Sequence, residues 1–434
     1  MPHVSLKYGT ETVTCRIHGA SVLEAGVSSS EVTAEQLVTD SLDAPLGTPR
    51  IEEIVRPGER ILIVTSDITR ATGSEVYLPL LVERLNRAGI ADTQIEILIA
   101  LGIHRKQTPA EHRKILGSLY GRVAVTDHDC DDPAQLVDLG TTPSGLPLAL
   151  NRRLTEVDRV IVTGTAGFHY FAGFGGGRKG LVPGVASRQT CMATHFAVFN
   201  PPEVGGKHPQ AVTGVLDGNP VHAALLEAAR SVRCDFLLNT VLSPDKQVVA
   251  AYAGDLELAH RAACGKVDEL YRVELEQPAE LAVVSCGGHP KDINFIQAHK
   301  ALDYGVGALR PGGTLILLAA CPDGHGNATF ADWFEHPDLA SFEAALREGY
   351  EINGQTAYAT RIKTERWRVI LVSEFDETQT RHLGMEKADD LDAALQMAYT
   401  GLPDSPRTVV IPDGGSVLPV VRKAAEIQAK DRVT

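Results

Sequence analysis

Residues 164–184 hold the densest run of groups that can do chemistry. Glycines at 164, 167, 173, 175, 176, 177, 180 and 184 surround Arg178 and Lys179, with His169 inside the run and His195 beyond it. Glycine lets backbone N–H groups approach an anion, a lysine at the tip adds a cation or a nucleophilic amine, and imidazoles serve as acids, bases or metal ligands. Gly175, Gly177 and Gly180 match the dinucleotide fingerprint formally, but the preceding apolar strand ends too far upstream and Pro183 blocks the helix that must carry a pyrophosphate. A phosphate-binding P-loop is excluded too, because Lys179 follows Arg178 instead of glycine and precedes Gly180 instead of serine or threonine. The run therefore reads as an anion cradle of another kind, with Gly176 and Gly177 lining it beside Lys179.

Three shorter stretches carry further candidates. Asp67, Thr69 and Arg70 follow an apolar run directly. Asp67 and Thr69 can cap the next helix, whereas an arginine at the end of a strand beside a helix N-terminus suits a carboxylate or phosphate. His104 follows a second such run, and Thr108, Pro109 and Glu111 form a capping box with proline at the first helical position. That fixes the helix start and puts His104 in the exposed loop before it. In the last third of the chain, Gln297 and Lys300 are spaced i, i+3 on a predicted helix, so they share a face and can reach one ligand, or form a solvated surface.

The elements that must position these groups are short apolar strands alternating with helical patterns. Arg60–Thr65, Ile95–Leu101, Val123–Thr126 and Val160–Thr163 each end at a polar residue or glycine, and Leu281–Ser285, Thr314–Ala319, Val369–Ser373 and Thr408–Ile411 repeat the pattern. Strands apolar on both faces imply an α/β fold with mostly parallel, helix-covered sheets, whose ligands bind beyond the strand C-termini. The charged, proline-containing stretch 274–279 marks a boundary, giving an N-terminal cofactor-binding α/β domain over 1–274 and a C-terminal Rossmann-like domain over 280–434. A cleft between them is the expected active site. A last helix is expected from Val417, packing on its own domain or crossing back.

Composition removes several classes. The 434 residues are 44% hydrophobic and 22% charged, a globular profile. Lys+Arg 41 against Asp+Glu 55 gives a net charge of -14, and aromatics are only 5%, which disfavours nucleic-acid binding. Seven cysteines without a CxxC pair fit reduced thiols better than disulfides or a thiolate zinc site. No apolar run is long enough to span a membrane and the N-terminus lacks a signal-peptide core, so a cytoplasmic location is expected.

Taken together and in order, these stretches resemble the nickel-pincer lactate racemase family, over about residues 60 to 305. The family consists of nickel-dependent 2-hydroxyacid racemases and epimerases. The resemblance implies that Lys179 tethers a pyridinium-3-thioamide-5-thiocarboxylic acid mononucleotide, the nickel-pincer nucleotide, and that His195 completes the nickel coordination. It implies His104 and His169 as the catalytic histidines, and Arg70, Gln297 and Lys300 as substrate-binding residues. Asp67, Thr69, Gly176 and Gly177 fall in its cofactor-binding region, and cofactor-maturation enzymes become expected partners. Ile296 stands where lactate-specific members have a tyrosine, so lactate, malate and related acids all remain open as substrates. An NAD-dependent 2-hydroxyacid dehydrogenase is the alternative enzyme, and a non-catalytic carrier of the nickel cofactor is the alternative outside catalysis. A carrier needs Lys179 and His195 but has no use for His104 and His169.

Overall fold

The apolar runs become two parallel sheets because strands buried on both faces need helices, not solvent, beside them. The computed structural model describes residues 4–15, 17, 19–27 and 32–422. The chain divides into two units: residues 27–201 with 207–269, and residues 1–26 with 202–206 and 270–434.

The first unit is built on β1 (Ile61–Ser66), β2 (Ile95–Ala100), β3 (Ala124–Asp127), β4 (Arg159–Ala166), β5 (Phe236–Leu242) and β6 (Val248–Gly254). Their order across the sheet is β6-β5-β4-β1-β2-β3, parallel except for the β5–β6 hairpin. In register, Ile61 of β1 lies between Ile95 of β2 and Arg159 of β4. One face is sealed by Ile61, Ile63, Ile97, Ile99 and Phe236 packing on Tyr77, Leu78, Leu81 and Leu85 of helix α1 (Ser74–Arg87) and on Val38 and Leu42. Burying each such side chain contributes roughly 1.5–3 kcal/mol, so the sheet is the stiffest part of the unit and its strand ends are fixed points. Helices α2 (Pro109–Leu116), α3 (Arg188–Phe196), α4 (Pro220–Arg230) and α5 (Leu258–Tyr271) follow along the chain.

The second unit has a six-stranded, all-parallel sheet. β7 (Ala279–Ser285), β8 (Leu309–Leu318), β9 (Arg368–Val372), β10 (Glu386–Ala388) and β11 (Thr408–Ile411) run in the order β10-β9-β8-β7-β11, with the short strand Ser21–Val22 outside β11. The hairpin Val4–Tyr8/Glu11–Cys15 adds Val4 and Leu6 to the core formed by Leu281, Val283, Ile316, Ile370 and Val410.

The α/β class and the eight strands expected from the sequence are present. The division of the chain differs from the expected one at both ends of the N-terminal part: residues 1–26 belong with the C-terminal unit, and the boundary falls at 269/270 rather than 274. Residues beyond 417 also differ. Leu418–Val421 is a strand paired in parallel with Arg272–Leu275, where a helix was expected, and residues from 423 onward lie outside the described ones. The β-branched residues and Pro419 suit an edge strand and oppose a helix interior. Among the described residues, no helix is long and apolar enough to cross a membrane.

Candidate active site

β1 delivers its candidates at its C-terminal end. Asp67 is buried while Thr69 and Arg70 are exposed. Asp67 and Thr69 do not cap the following helix, since α1 starts at Ser74 behind Gly73, which has φ 74. Asp67 instead accepts Thr69 Oγ1 at 2.8 Å on Oδ1, and its Oδ2 lies 2.7 Å from His104 Nδ1. A carboxylate can only accept, so His104 carries its proton on Nδ1 and presents Nε2 with an electron pair.

β2 delivers His104 in the same way. The capping box forms as expected: Thr108 Oγ1 accepts Glu111 N–H at 3.3 Å and Glu111 Oε2 accepts Thr108 N–H at 2.7 Å. The loop before it holds His104 with 44% of its side chain exposed, and Gly102 N–H donates to Gly184 O at 2.8 Å, which ties this loop to the glycine-rich segment.

That segment leaves β4 through a small hairpin, Phe168–His169 against Gly173–Phe174, and then a single 3-10 turn over Gly177–Gly180. No nucleotide-binding helix follows the fingerprint-like glycines: the next helix, α3, begins at Arg188. Gly176 and Gly177 are among the glycines required by close approach. A Cβ on Gly176 would stand 2.7 Å from Thr165 O, and one on Gly177 2.5 Å from the His260 ring, both at positive φ. The N–H groups of Gly175, Gly177 and Lys179 are taken by Gly167 O, Asn239 Oδ1 and Gly176 O. Gly176 and Gly177 thus fit the loop against β4, β5 and α5.

Arg178 is buried; it donates to Ala172 O at 2.9 Å and lies 3.0 Å from His260 Nε2. Burial brings its pKa down to about 10. Lys179 is half-buried, its Nζ 5.8 Å from the centre of the Phe171 ring. Desolvation, followed by the charges of Arg178 and Arg70, lowers its pKa from 10.5 to about 7. His195, on α3, packs on the same Phe171 ring at 5.1 Å. Its Nδ1 donates to Cys191 O at 2.7 Å, leaving Nε2 as a free electron pair, and burial first and Lys179 second hold its pKa near 3. His169 stacks on Tyr170 and meets Phe171 edge-on at 4.5 Å. Its Nδ1 accepts Ala172 N–H at 3.4 Å, which places the proton of the neutral ring on Nε2.

The first unit therefore brings together Asp67, Thr69, Arg70 and His104, and likewise His169, Lys179 and His195 around Phe171. Gln297 and Lys300 lie in the other unit, on helix α6 (Phe295–Gly305), where Lys300 Nζ donates to Gln297 Oε1 at 2.9 Å. Phe171, Asn239 and His260 were not legible as site residues, because an apolar ring and two residues distant in sequence carry no local motif. Arg178 had a signal in the sequence, a charge inside a glycine run.

The lactate racemase N-terminal domain family matches residues 8–206, and the lactate racemase C-terminal domain family matches residues 275–419. The chain is 33% identical to the lactate racemase of Lactiplantibacillus plantarum, over 96% of this chain and 100% of that one. It is also 33% identical to the lactate racemase of Thermoanaerobacterium thermosaccharolyticum, over 96% and 99%. The apoprotein structure of a lactate racemase from the latter organism superposes with a TM-score of 0.86 at 31% identity, covering 97% of this chain and 100% of that one. A Thermotoga maritima protein shares the fold, with a TM-score of 0.66 at 21% identity over 91% of this chain and all of that one.

Proposed function

Since the chain belongs to the lactate racemase family, we propose that it is an isomerase that inverts C2 of a 2-hydroxy acid, lactate, malate or a related acid, through a 2-oxo acid. The observation that carries this reading is the pair of differently protonated imidazoles: His104 with its Nδ1 proton on Asp67, and His169 with its proton on Nε2.

The donor set fits the nickel-pincer nucleotide. His195 offers one electron pair, and no three His, Cys, Asp or Glu side chains among the described residues come together as a metal site, so a metal on His195 takes its remaining donors from a bound group. Lys179, with its pKa near 7, has a large neutral amine fraction for a covalent tether. When bound, the group supplies a nickel centre and an electron-poor ring able to take up and return hydride.

The chain's own residues do the rest. Arg70 offers a bidentate partner for the substrate carboxylate, and Gln297 and Lys300 are assigned to substrate contact from the resemblance. His104 Nε2 takes the hydroxyl proton as C2 loses its hydrogen, and buried Asp67 stabilises the imidazolium that results. His169 serves as the acid once it has taken a second proton at Nδ1 in place of the long contact from Ala172 N–H: as an imidazolium it gives its Nε2 proton to the oxygen when hydrogen is restored from the opposite face, and is left neutral. The two roles exchange in the reverse direction. Loading by maturation enzymes and a cytoplasmic setting belong to the same reading.

The test is chiral chromatography of holoenzyme with a panel of enantiopure 2-hydroxy acids. Loss of optical purity with at least one member is expected, and abolition in His104→Asn. Retention of optical purity across the panel overturns the reading.

A further inference from the structure

Between the two loops that carry Asp67 and His104 lies a residue with no role so far. Gln107 is 9% exposed and sits one position before the α2 cap. Its side-chain Oε1 accepts Ile68 N–H at 3.0 Å, and its Nε2 donates to Arg105 O at 3.3 Å. Ile68 follows Asp67 and Arg105 follows His104, so one amide bridges the residues next to both members of the pair. Gln107 is itself anchored, its N–H donating to Asp127 Oδ2 at 2.7 Å at the end of β3. The other oxygen of Asp127 lies 2.7 Å from His112 Nε2 on α2. The chain of contacts runs from the fixed end of one strand, through Gln107, to the turn after β1 and the loop after β2.

We propose that Gln107, backed by Asp127, is a positioning residue that locks Asp67 onto His104 and so presents the imidazole with its Nε2 electron pair free. An imidazole with nearly half of its side chain in solvent needs such a lock. Its ring has two tautomers of similar energy, and a displacement of about 1 Å at a reacting group costs on the order of 10²-fold in rate. The hydrogen bond to Asp67 selects one tautomer only while both backbones hold their places.

This inference rests on the reading of His104 as acid–base, and its test separates the two. Full-length apoprotein labelled with 15N-histidine is compared by NMR, with the His104 signals identified by their loss in His104→Gln. Wild type is expected to show the nitrogen shifts of a single tautomer protonated at Nδ1, and Gln107→Met the intermediate shifts of exchanging tautomers. In holoenzyme, Gln107→Met should lose about 10- to 100-fold in kcat with KM changed less than about threefold and the Lys179 adduct intact. Gln107→Glu keeps the acceptor for Ile68 N–H and should recover part of both signals. Unchanged His104 shifts in Gln107→Met, or equal losses in the two variants, overturn the proposal. If Gln107→Met does not fold, Asp127→Ala is read by the same His104 shifts: averaging supports the lock and a fixed tautomer overturns it. The NMR result stands whether or not any 2-hydroxy acid is turned over, so failure of the functional reading is seen separately.

Discussion

His195 and Lys179 show at the residue scale how burial prepares side chains without choosing new ones. His195 keeps a pKa near 3 in the folded protein and His222 one near 4, against about 6.5 when unfolded. The unfolded state therefore binds more protons between those values, and the contribution to stability is complete above pH 6.5 and lost as the pH falls toward 3 to 4. By pH 5.5 each histidine should cost about 1 kcal/mol, which urea titrations of wild type and His222→Phe at pH 7 and 5.5 would resolve; equal pH slopes would contradict it. Lys179 works in the same direction at higher pH: its folded value near 7 against 10.5 makes the protonated amine unfavourable in the fold. Lys179→Met apoprotein should accordingly be more stable than wild type at pH 7, by about 1 kcal/mol after discounting for its partial exposure, and the gap should shrink toward pH 10. Metal analysis provides a separate check, since His195→Ala should lose nickel while retaining the organic adduct on Lys179. Full nickel in that variant would remove His195 from the coordination.

Elements set these environments through a few local signals. The capping box at Thr108 fixes where α2 starts and hence how long the His104 loop is. Thr108→Ala should cost about 1 kcal/mol, measured by thermal or urea unfolding. The glycine segment is less forgiving. Gly177→Ala places a Cβ at φ 54 against the His260 ring, a combined strain of about 1–3 kcal/mol, and should also impair adduct formation at Lys179, visible by peptide mapping. A Gly177→Ala protein with wild-type stability would show that the loop has room the structure denies it. These signals were readable because caps and glycines act within a few residues. The strands Phe236–Leu242 and Val248–Gly254 were not read, since Ala250, Ala251 and Ala253 carry no strand preference and that hairpin is decided by pairing on β4. For the same reason the sequence placed residues 1–26 in the N-terminal domain: two short strands say nothing locally about which sheet they join.

At the scale of the whole molecule, the parallel order of β1, β2 and β4 puts Asp67, His104 and the glycine segment at the same edge of one sheet, although 37 positions separate Asp67 from His104. That gathering was legible from the order of the motifs, because each follows an apolar run and parallel strands bring such ends together. The site's supports, Phe171, Asn239, His260, Gln107 and Asp127, were not, because they matter through contacts made only after folding. The most direct test of the account uses holoenzyme with an enantiopure 2-hydroxy acid labelled with deuterium at C2, in ordinary water. The account predicts loss of optical purity with deuterium retained at C2 of the inverted product and a slower rate than for unlabelled substrate. Inverted product that has exchanged its deuterium for solvent hydrogen from the first turnovers would contradict it.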